Sequence, residues 1–297
     1  MMAPLMTFSP RSPQSFPDWR FETLDFAYDP GTHSAWMSYK AEGPPYYSFQ
    51  TLADMADVRE SLRALYDSAP PEQFPVRYFV MDSHKPGVFK LGGDLAEFAE
   101  FIRKGDDASL TAYAHACIDV VHGLVSAFDL PIVTLSVVGG QALGGGLEAA
   151  LAQHFLMAEE GAKLGVPEVS FNSFPGMGAV SLLSRRIGQA KAEAIIASGH
   201  VYSAREMYGL GVVDFLAPTG HGPDNAREWM GEGGDARFER RLALTQARRR
   251  FFPVSRRELT DITDLWVSCC MNVTQHDLRH MDRLVVAQRR MSPAGLG

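Results

Sequence analysis

Cysteine is scarce in this chain: Cys117, Cys269 and Cys270 are the only three in 297 residues, and two are adjacent. That excludes a disulfide framework and leaves reduced thiols, so the expected compartment is the cytoplasm. A basic excess is missing too, with 28 Lys and Arg against 35 Asp and Glu and a formal net charge of -7. A nucleic-acid binder needs cations to neutralise phosphates, so that class is set aside. No stretch approaches the roughly 18 uninterrupted apolar residues of a membrane span. The opening MMAPLMTFSPRSPQSFPDWR has four prolines and no apolar run of signal-peptide length, and residues 1–20 read as a mobile arm. What remains is an ordinary soluble composition, 46% hydrophobic and 21% charged, long enough to bury a full-sized core.

After the arm, FETLDFAYDP and SAWMSYKAE show the aromatic content and partial alternation of strands. Leu52, Met55, Val58, Leu62 and Leu65 then recur at helical spacing. VRYFVMDS and PIVTLSVVGG are short apolar runs suited to buried strands, with a long helix from about Asp107 to Phe128 between them. FKLGGDLAEFAEFIRKG is a glycine turn followed by a helix, with Asp94 in the N-cap slot and Glu97 three residues on, a capping-box pattern. Strands alternating with helices argue for an α/β layered core over residues 21–220. Residues 221–297 are more helical. Within them PDNAREWMGEGGDARFERR is a polar linker or a loosely packed helix, and Ser255 to Arg290 holds one or two helices with Leu259, Ile262, Leu265 and Trp266 on an apolar face. No internal repeat shows in the sequence.

The stretch GGQALGGGLEAAL, Gly139 to Leu151, places five glycines in eight positions and then sets Glu148 on the first turn of a helix. Gly144 to Ala149 fits the dinucleotide fingerprint G-x-G-x-x-A, and Glu168 stands 20 residues beyond Glu148, where a ribose-binding acid would be expected. Against a phosphate cradle, Glu148 lies where a pyrophosphate would dock and repels it. Close helix–strand packing alone explains one or two glycines, not five. A third reading uses both glycine turns, KLGGD and LGGGLE, each at a strand-to-helix junction where backbone N–H groups lack intrahelical partners. Two such donors converging would form an oxyanion hole, for which glycine is suited because no side chain blocks the amide. The adjoining carboxylate would then be placed for proton transfer.

The run GGQALGGGLEAALAQHFLMAEEGAKLGVPEVSFNSFPGMGA resembles the signature region of the crotonase (enoyl-CoA hydratase/isomerase) superfamily: a glycine-rich turn ending in Glu148, Pro167-Glu168, and Pro175-Gly176-Met177-Gly178. The resemblance implies a crotonase-like core of repeated ββα units in a spiral with a helical C-terminal extension. It assigns the oxyanion amides to Gly93 and Gly145 and the two acids to Glu148 and Glu168. FKLGGDLAEFAEFIRKGD, LWVS and LRHMDRLVVAQRR further resemble the diffusible signal factor synthases, over roughly residues 35 to 290. That branch implies dehydration of a medium-chain 3-hydroxyacyl thioester, carried on acyl carrier protein or coenzyme A, to a cis-2-enoyl product. Hydrolysis of the thioester then releases the signal fatty acid. A general enoyl-CoA hydratase/isomerase is the alternative. YYSFQTL stands where ordinary hydratases have an Asn-Ala-Leu-Asn-like segment, which leaves the usual coenzyme A contacts open.

The working assignment makes Glu168 the base for the α-proton and Glu148 the acid for the departing hydroxyl, an order the sequence does not fix. Two carboxylates facing one site titrate as a pair, one of them raised. Leu143, Gly144, Met177, Trp266 and Leu284 are the expected acyl-pocket residues, with ordinary core packing the competing reading for Met177, Trp266 and Leu284. No resident cofactor or metal is expected. His276 and His280 are one helical turn apart, but the nearby cysteine spacing matches no known finger and solvent-facing histidines explain them. ARRRFFPVSRRE is a solvated basic face or a contact for an acidic carrier protein, and Asp94 is a helix cap rather than a catalytic acid. The family resemblance implies a homotrimer or hexamer, with the C-terminal helices forming the interface and a lid over the acyl pocket. A nicotinamide-dependent enzyme and a catalytically silent partner-binding protein are the competing classes. The presence of both Glu148 and Glu168 argues against the second.

Overall fold

The computed structural model describes residues 16–291. The chain opens with an antiparallel hairpin, β1 (Leu24–Asp29) and β2 (Ser34–Tyr39), followed by α1 (Phe49–Asp67). Three strand–strand–helix units come next. The first is β3 (Tyr78–Ser83), β4 (Val88–Lys90) and α2 (Leu95–Lys104), followed by α3 (Asp107–Val125). The second is β5 (Val133–Val138), β6 (Gln141–Leu143) and α4 (Gly145–Leu151). The third is β7 (Phe155–Glu159), β8 (Lys163–Gly165), a 3-10 turn (Pro167–Phe171) and α5 (Ala179–Ile187), followed by α6 (Gln189–Ser198). Then come β9 (Val201–Ser203), α7 (Ala204–Gly209), β10 (Phe215–Ala217), α8 (Gly222–Gly231), α9 (Gly234–Phe251), α10 (Arg256–Cys270) and α11 (Gln275–Arg290).

The first strand of each unit joins a six-stranded sheet, order β1-β2-β3-β5-β7-β10, parallel from β2 onward. The second strand of each joins a four-stranded sheet, order β4-β6-β8-β9, in which β4, β6 and β8 run parallel. β5 is buried along its whole length, which is why it reads as a continuous apolar run without alternation; β2 is buried throughout as well, despite the partial alternation of its sequence. The repeat is topological: three units of unlike sequence and helix length, invisible to a search for self-similarity.

One face of the large sheet packs on α1, α3, α4 and the small sheet in the main core. The other face, Trp36, Tyr78, Val80, Val133, Leu135, Val137 and Met157, is covered by Ala226, Met230 and Phe238 of α8 and α9. The segment read as a polar linker or a loosely packed helix therefore belongs to two ordered helices. Its few apolar residues are spaced to close that second layer, and their polar neighbours hide the pattern.

Three further expectations are corrected. Phe16 stacks on Tyr28 with ring centroids 4.5 Å apart and Trp19 tilts on Phe26 at 4.9 Å, so residues 16–20 of the expected arm lie on β1. The rest of that arm falls outside the described residues. The long helix stops at Val125, and Ala127, Phe128 and Asp129 turn left-handed (φ 50, 58 and 58°) ahead of Pro131. On α10, Leu259 and Trp266 are buried two turns apart, but Leu265 is 65% exposed. It sits one residue from Trp266, about 100° round the helix, and Thr263, Val267 and Cys270 complete the buried stripe instead. No described helix is long and apolar enough to cross a membrane.

Candidate active site

Because β4, β6 and β8 run parallel side by side, their C-terminal ends come out abreast and hand the chain to three turns: Leu91-Gly92-Gly93, Leu143-Gly144-Gly145, and Val166-Pro167-Glu168. Gly144 N–H donates to Gly165 O at 2.9 Å and ties the second turn to the third. The first and second turns touch: a Cβ on Gly92 (φ 85°) would lie 3.3 Å from the Gly145 nitrogen. Gly144 caps α4 at φ 51°, and a Cβ there would come 2.5 Å from Glu168 Oε1. Both positions exclude side chains, one through backbone conformation and close approach of a neighbouring turn, the other also through the Glu168 carboxyl beside it. The N–H groups of Gly93 and Gly145 donate to no other group among the described residues. Gly145 stands at the N-terminus of α4, where such donors are unspent.

These turns line a cavity of about 190 Å³. All nine residues expected from the sequence line it: Gly93, Leu143, Gly144, Gly145, Glu148, Glu168, Met177, Trp266 and Leu284. Phe98, Tyr113, Leu52 and Val121 add apolar wall, and α11 closes one side with Leu284, Ala287 and Gln288.

Glu148 is 1% exposed, and its Oε1 accepts from Met177 N and Ala179 N, both at 2.9 Å. Gly178, at φ 128°, is the cap that turns these two amides together at the start of α5. Burial raises the proton affinity of Glu148, and the two amides oppose that rise. The helix terminus also favours the anion. Glu168, in the 3-10 turn, is raised by its own burial and then by the charge of Glu148. Its Oε2 is buried with no hydrogen-bond partner among the described residues. The two amides therefore favour the anion on Glu148 over the anion on Glu168. A carboxylate in this seat leaves no place for a pyrophosphate, so the phosphate-cradle reading falls.

Asp94 caps α2, accepting from Ala96 N at 3.0 Å and Glu97 N at 3.2 Å. Glu97 does not reach back, so the box expected there is a simple cap. Much of the basic run is spent on the chain itself: Arg248 on His154 O, Arg249 on Ser126 O and Arg256 on Asp119. Among the described residues no group of three or more His, Cys, Asp and Glu is placed to hold a metal ion.

Sequence reasoning missed three residues around the first turn. Lys90 is 1% exposed, with Nζ donating to Pro44 O at 2.8 Å and lying 4.2 Å from the Tyr39 ring centroid. Burial brings its proton affinity down to about 7. Tyr47 donates its N–H to Gly92 O at 2.8 Å, and Gln288 Nε2 reaches Leu91 O and Gly93 O. Only Lys90 left a signal, a lysine inside the apolar run VFKL.

Two sheets built from strand–strand–helix units, with glycine turns at the ends of the inner strands, are the crotonase architecture. An enoyl-CoA hydratase/isomerase from Xanthobacter autotrophicus Py2 has the same fold, with a TM-score of 0.71 over 94% of this chain and 100% of that one at 18% identity. The profile of the enoyl-CoA hydratase/isomerase family matches residues 55–251, and the chain belongs to that family. It is 38% identical over 129 residues to a probable enoyl-CoA hydratase of Bacillus subtilis (strain 168), covering 43% of this chain and 48% of the relative. It is 34% identical over 173 residues to the glyoxysomal fatty acid beta-oxidation multifunctional protein MFP-a of Brassica napus, covering 58% of this chain and 23% of the relative. The chain therefore spans less than half the length of these two relatives.

Proposed function

We propose that the chain adds water to, and removes it from, the double bond of an α,β-unsaturated acyl thioester, as an enoyl-CoA hydratase does. The observation that carries this reading is a pair of buried carboxylates with unequal partners beside two unspent glycine amides. The thioester oxygen takes hydrogen bonds from Gly93 N–H and Gly145 N–H as negative charge builds on it, each worth on the order of 10²–10³ in rate. Glu148, ionised against the Met177 and Ala179 amides, takes a proton from the water that attacks the β-carbon. Glu168, holding its proton for want of a partner, delivers it to the α-carbon. Dehydration runs the same path backward: Glu168 removes the α-proton and Glu148 protonates the leaving hydroxyl, the order assigned from the sequence. That direction starts from the opposite placement of the proton, on Glu148 with Glu168 ionised. The aligned B. subtilis relative, a probable enoyl-CoA hydratase, supports the same reaction class. The test is hydration of a trans-2-enoyl-CoA, followed by loss of its conjugated absorbance. Turnover abolished in both Glu148→Gln and Glu168→Gln is the expected result; unimpaired variants would overturn it.

A finer reading is dehydration of a carrier-bound medium-chain 3-hydroxyacyl group to a cis-2-enoyl product, with release of the free acid. It is supported by the segments matched to signal synthases and by an apolar cavity walled by Trp266 and Leu284. Among the described residues the thiol lining the cavity, Cys117, is held protonated by its burial, so no separate nucleophile is assigned to the release step. A water directed at the thioester carbonyl by the same two glutamates is its route. Mass spectrometry of 3-hydroxydodecanoyl groups on carrier protein and on coenzyme A separates the readings. Free cis-2-enoic acid supports this one, and a product that stays esterified returns the chain to the general hydratase. Assembly as a trimer or hexamer through α10 and α11 belongs to the same proposal, read by light scattering of the purified protein.

A further inference from the structure

The peptide that presents Gly93 N–H to the cavity is fixed from outside the turn on every side. Its own carbonyl, Gly92 O, accepts from Tyr47 N at 2.8 Å. The peptide before it is held at Leu91, whose N–H donates to Pro45 O at 2.7 Å and whose O accepts from Gln288 Nε2 at 3.2 Å. The peptide after it is held at Gly93 O, which accepts from the same Nε2 at 3.1 Å, and at Asp94 N, which donates to Tyr113 OH at 3.3 Å. Both acceptors are carbonyls, so the amide of Gln288 has one orientation here, and both its N–H groups are spent. Gln288 is 6% exposed and lies on α11, 195 residues from Gly93 in sequence. The same helix is fastened to α2 by Arg103 on both oxygens of Asp282 at 2.7 Å.

We infer that Gln288 is a positioning residue for the oxyanion turn, clamping the peptides on either side of the Gly92–Gly93 bond so that the Gly93 N–H points at the substrate carbonyl. The inference rests on the hydratase reading, in which that N–H takes the thioester oxygen. Gly92 needs such a clamp, because a left-handed glycine with no side chain gives the turn no rigidity of its own. An oxyanion donor is effective only when its direction is set before the charge develops. The clamp also makes the docking of α11 a condition of activity: with the helix displaced, the turn loses two of its restraints and the cavity loses a wall.

The test uses the full chain with a trans-2-enoyl-CoA labelled with ¹³C at the thioester carbonyl. Turnover and the carbonyl stretch of the bound thioester are read together. Gln288→Met keeps the length and packing of the side chain but donates nothing. We expect kcat to fall on the order of 10- to 100-fold with KM changed far less, and the carbonyl stretch to move back toward its value in solution. Gln288→Glu gives a second readout, because a carboxyl donates only while protonated. Its kcat relative to wild type should rise as pH falls, and dividing by the wild-type profile removes the titration of Glu148 and Glu168. A Gln288→Met enzyme with wild-type kcat and an unmoved carbonyl stretch overturns the clamp, as does a change confined to KM, the mark of a wall residue. A wild-type protein that neither turns over nor shifts the carbonyl sinks the hydratase reading itself.

Discussion

Glu148, on α4, faces the start of α5 and takes two backbone N–H groups on one oxygen at 2.9 Å, whereas Glu168 keeps a buried oxygen with no partner among the described residues. Both side chains lie in the same cavity. Their difference comes from the turns that carry them. Glu148 is on a helix facing the Pro-Gly-Met-Gly loop, whose amides converge; Glu168 is on a 3-10 turn whose neighbours are glycine and apolar walls. One acid is seated as an anion and the other as an acid, which divides the two proton-transfer roles between chemically identical residues.

The largest expected effect tests the division directly. Glu168→Gln and Glu148→Gln should each cut turnover of an enoyl thioester by on the order of 10²–10⁴, the range for a general acid or base. Stability then separates them. Glu148→Ala strands two buried N–H groups and should lower stability by about 2 kcal/mol or more. Glu168→Gln removes a partnerless buried acid and should leave the melting temperature unchanged or raised at pH 8. Thermal melts of the two variants beside wild type read both. Equal losses would erase the comparison.

A smaller effect sharpens it further. Both acids have their proton affinity raised in the folded state, so the fold binds a proton that the unfolded chain releases above the ordinary carboxylate value of 4.5. By linkage, the stability tied to that proton is complete below this value and is lost as pH rises through the raised folded value. The slope is at most about 1.4 kcal/mol per pH unit for one proton. The loss should be weaker in Glu168→Gln. His154 opposes the trend, since it is buried, lowered to about 3, and destabilises the fold as pH falls through the ordinary histidine range. It is common to both proteins, so the difference between their melting curves isolates the glutamate.

How legible this was depends on what each feature needs. The second glycine turn, both acids and the Pro-Gly loop lie in one continuous 40-residue stretch, with the first glycine turn 46 residues ahead of it, and their chemistry is local: glycine where a side chain would block an amide, glutamate one helical turn on. The three ββα units were not legible as a repeat, because a short inner strand such as Val88–Lys90 carries too few residues to show a period. Gln288 was not legible because its role exists only when α11 folds back on the first turn, and a glutamine in LVVAQRR reads as surface. Leu265 was misread for the opposite reason, since an apolar residue beside Trp266 looks like core until the helix phase is fixed. The hydrogen bonds that tell Glu148 from Glu168 depend on a loop 29 residues beyond Glu148, and no spacing rule predicts them.

The smallest effect concerns a third buried ionisable group, placed just before the first glycine turn and of opposite sign. The Lys90 ammonium donates to Pro44 O and lies over the faces of Tyr39 and Tyr47. Its folded proton affinity is lowered to about 7, first by burial and then by Lys85. The sign is therefore the reverse of the glutamates. Between about 7 and the ordinary lysine value of 10.5 the unfolded chain holds a proton that the folded chain has released. Wild-type stability from this group should thus rise with pH across that window, and be lost as pH falls through about 7. Lys90→Met keeps the length of the side chain, removes the titration and strands Pro44 O at a cost of about 1 kcal/mol. Its stability relative to wild type should improve steadily as pH is lowered from 9.5 to 7, while turnover stays close to wild type because Lys90 does not line the cavity. Parallel melting curves across that range would mean that Lys90 keeps its proton throughout, held by the two tyrosine faces against the pull of burial.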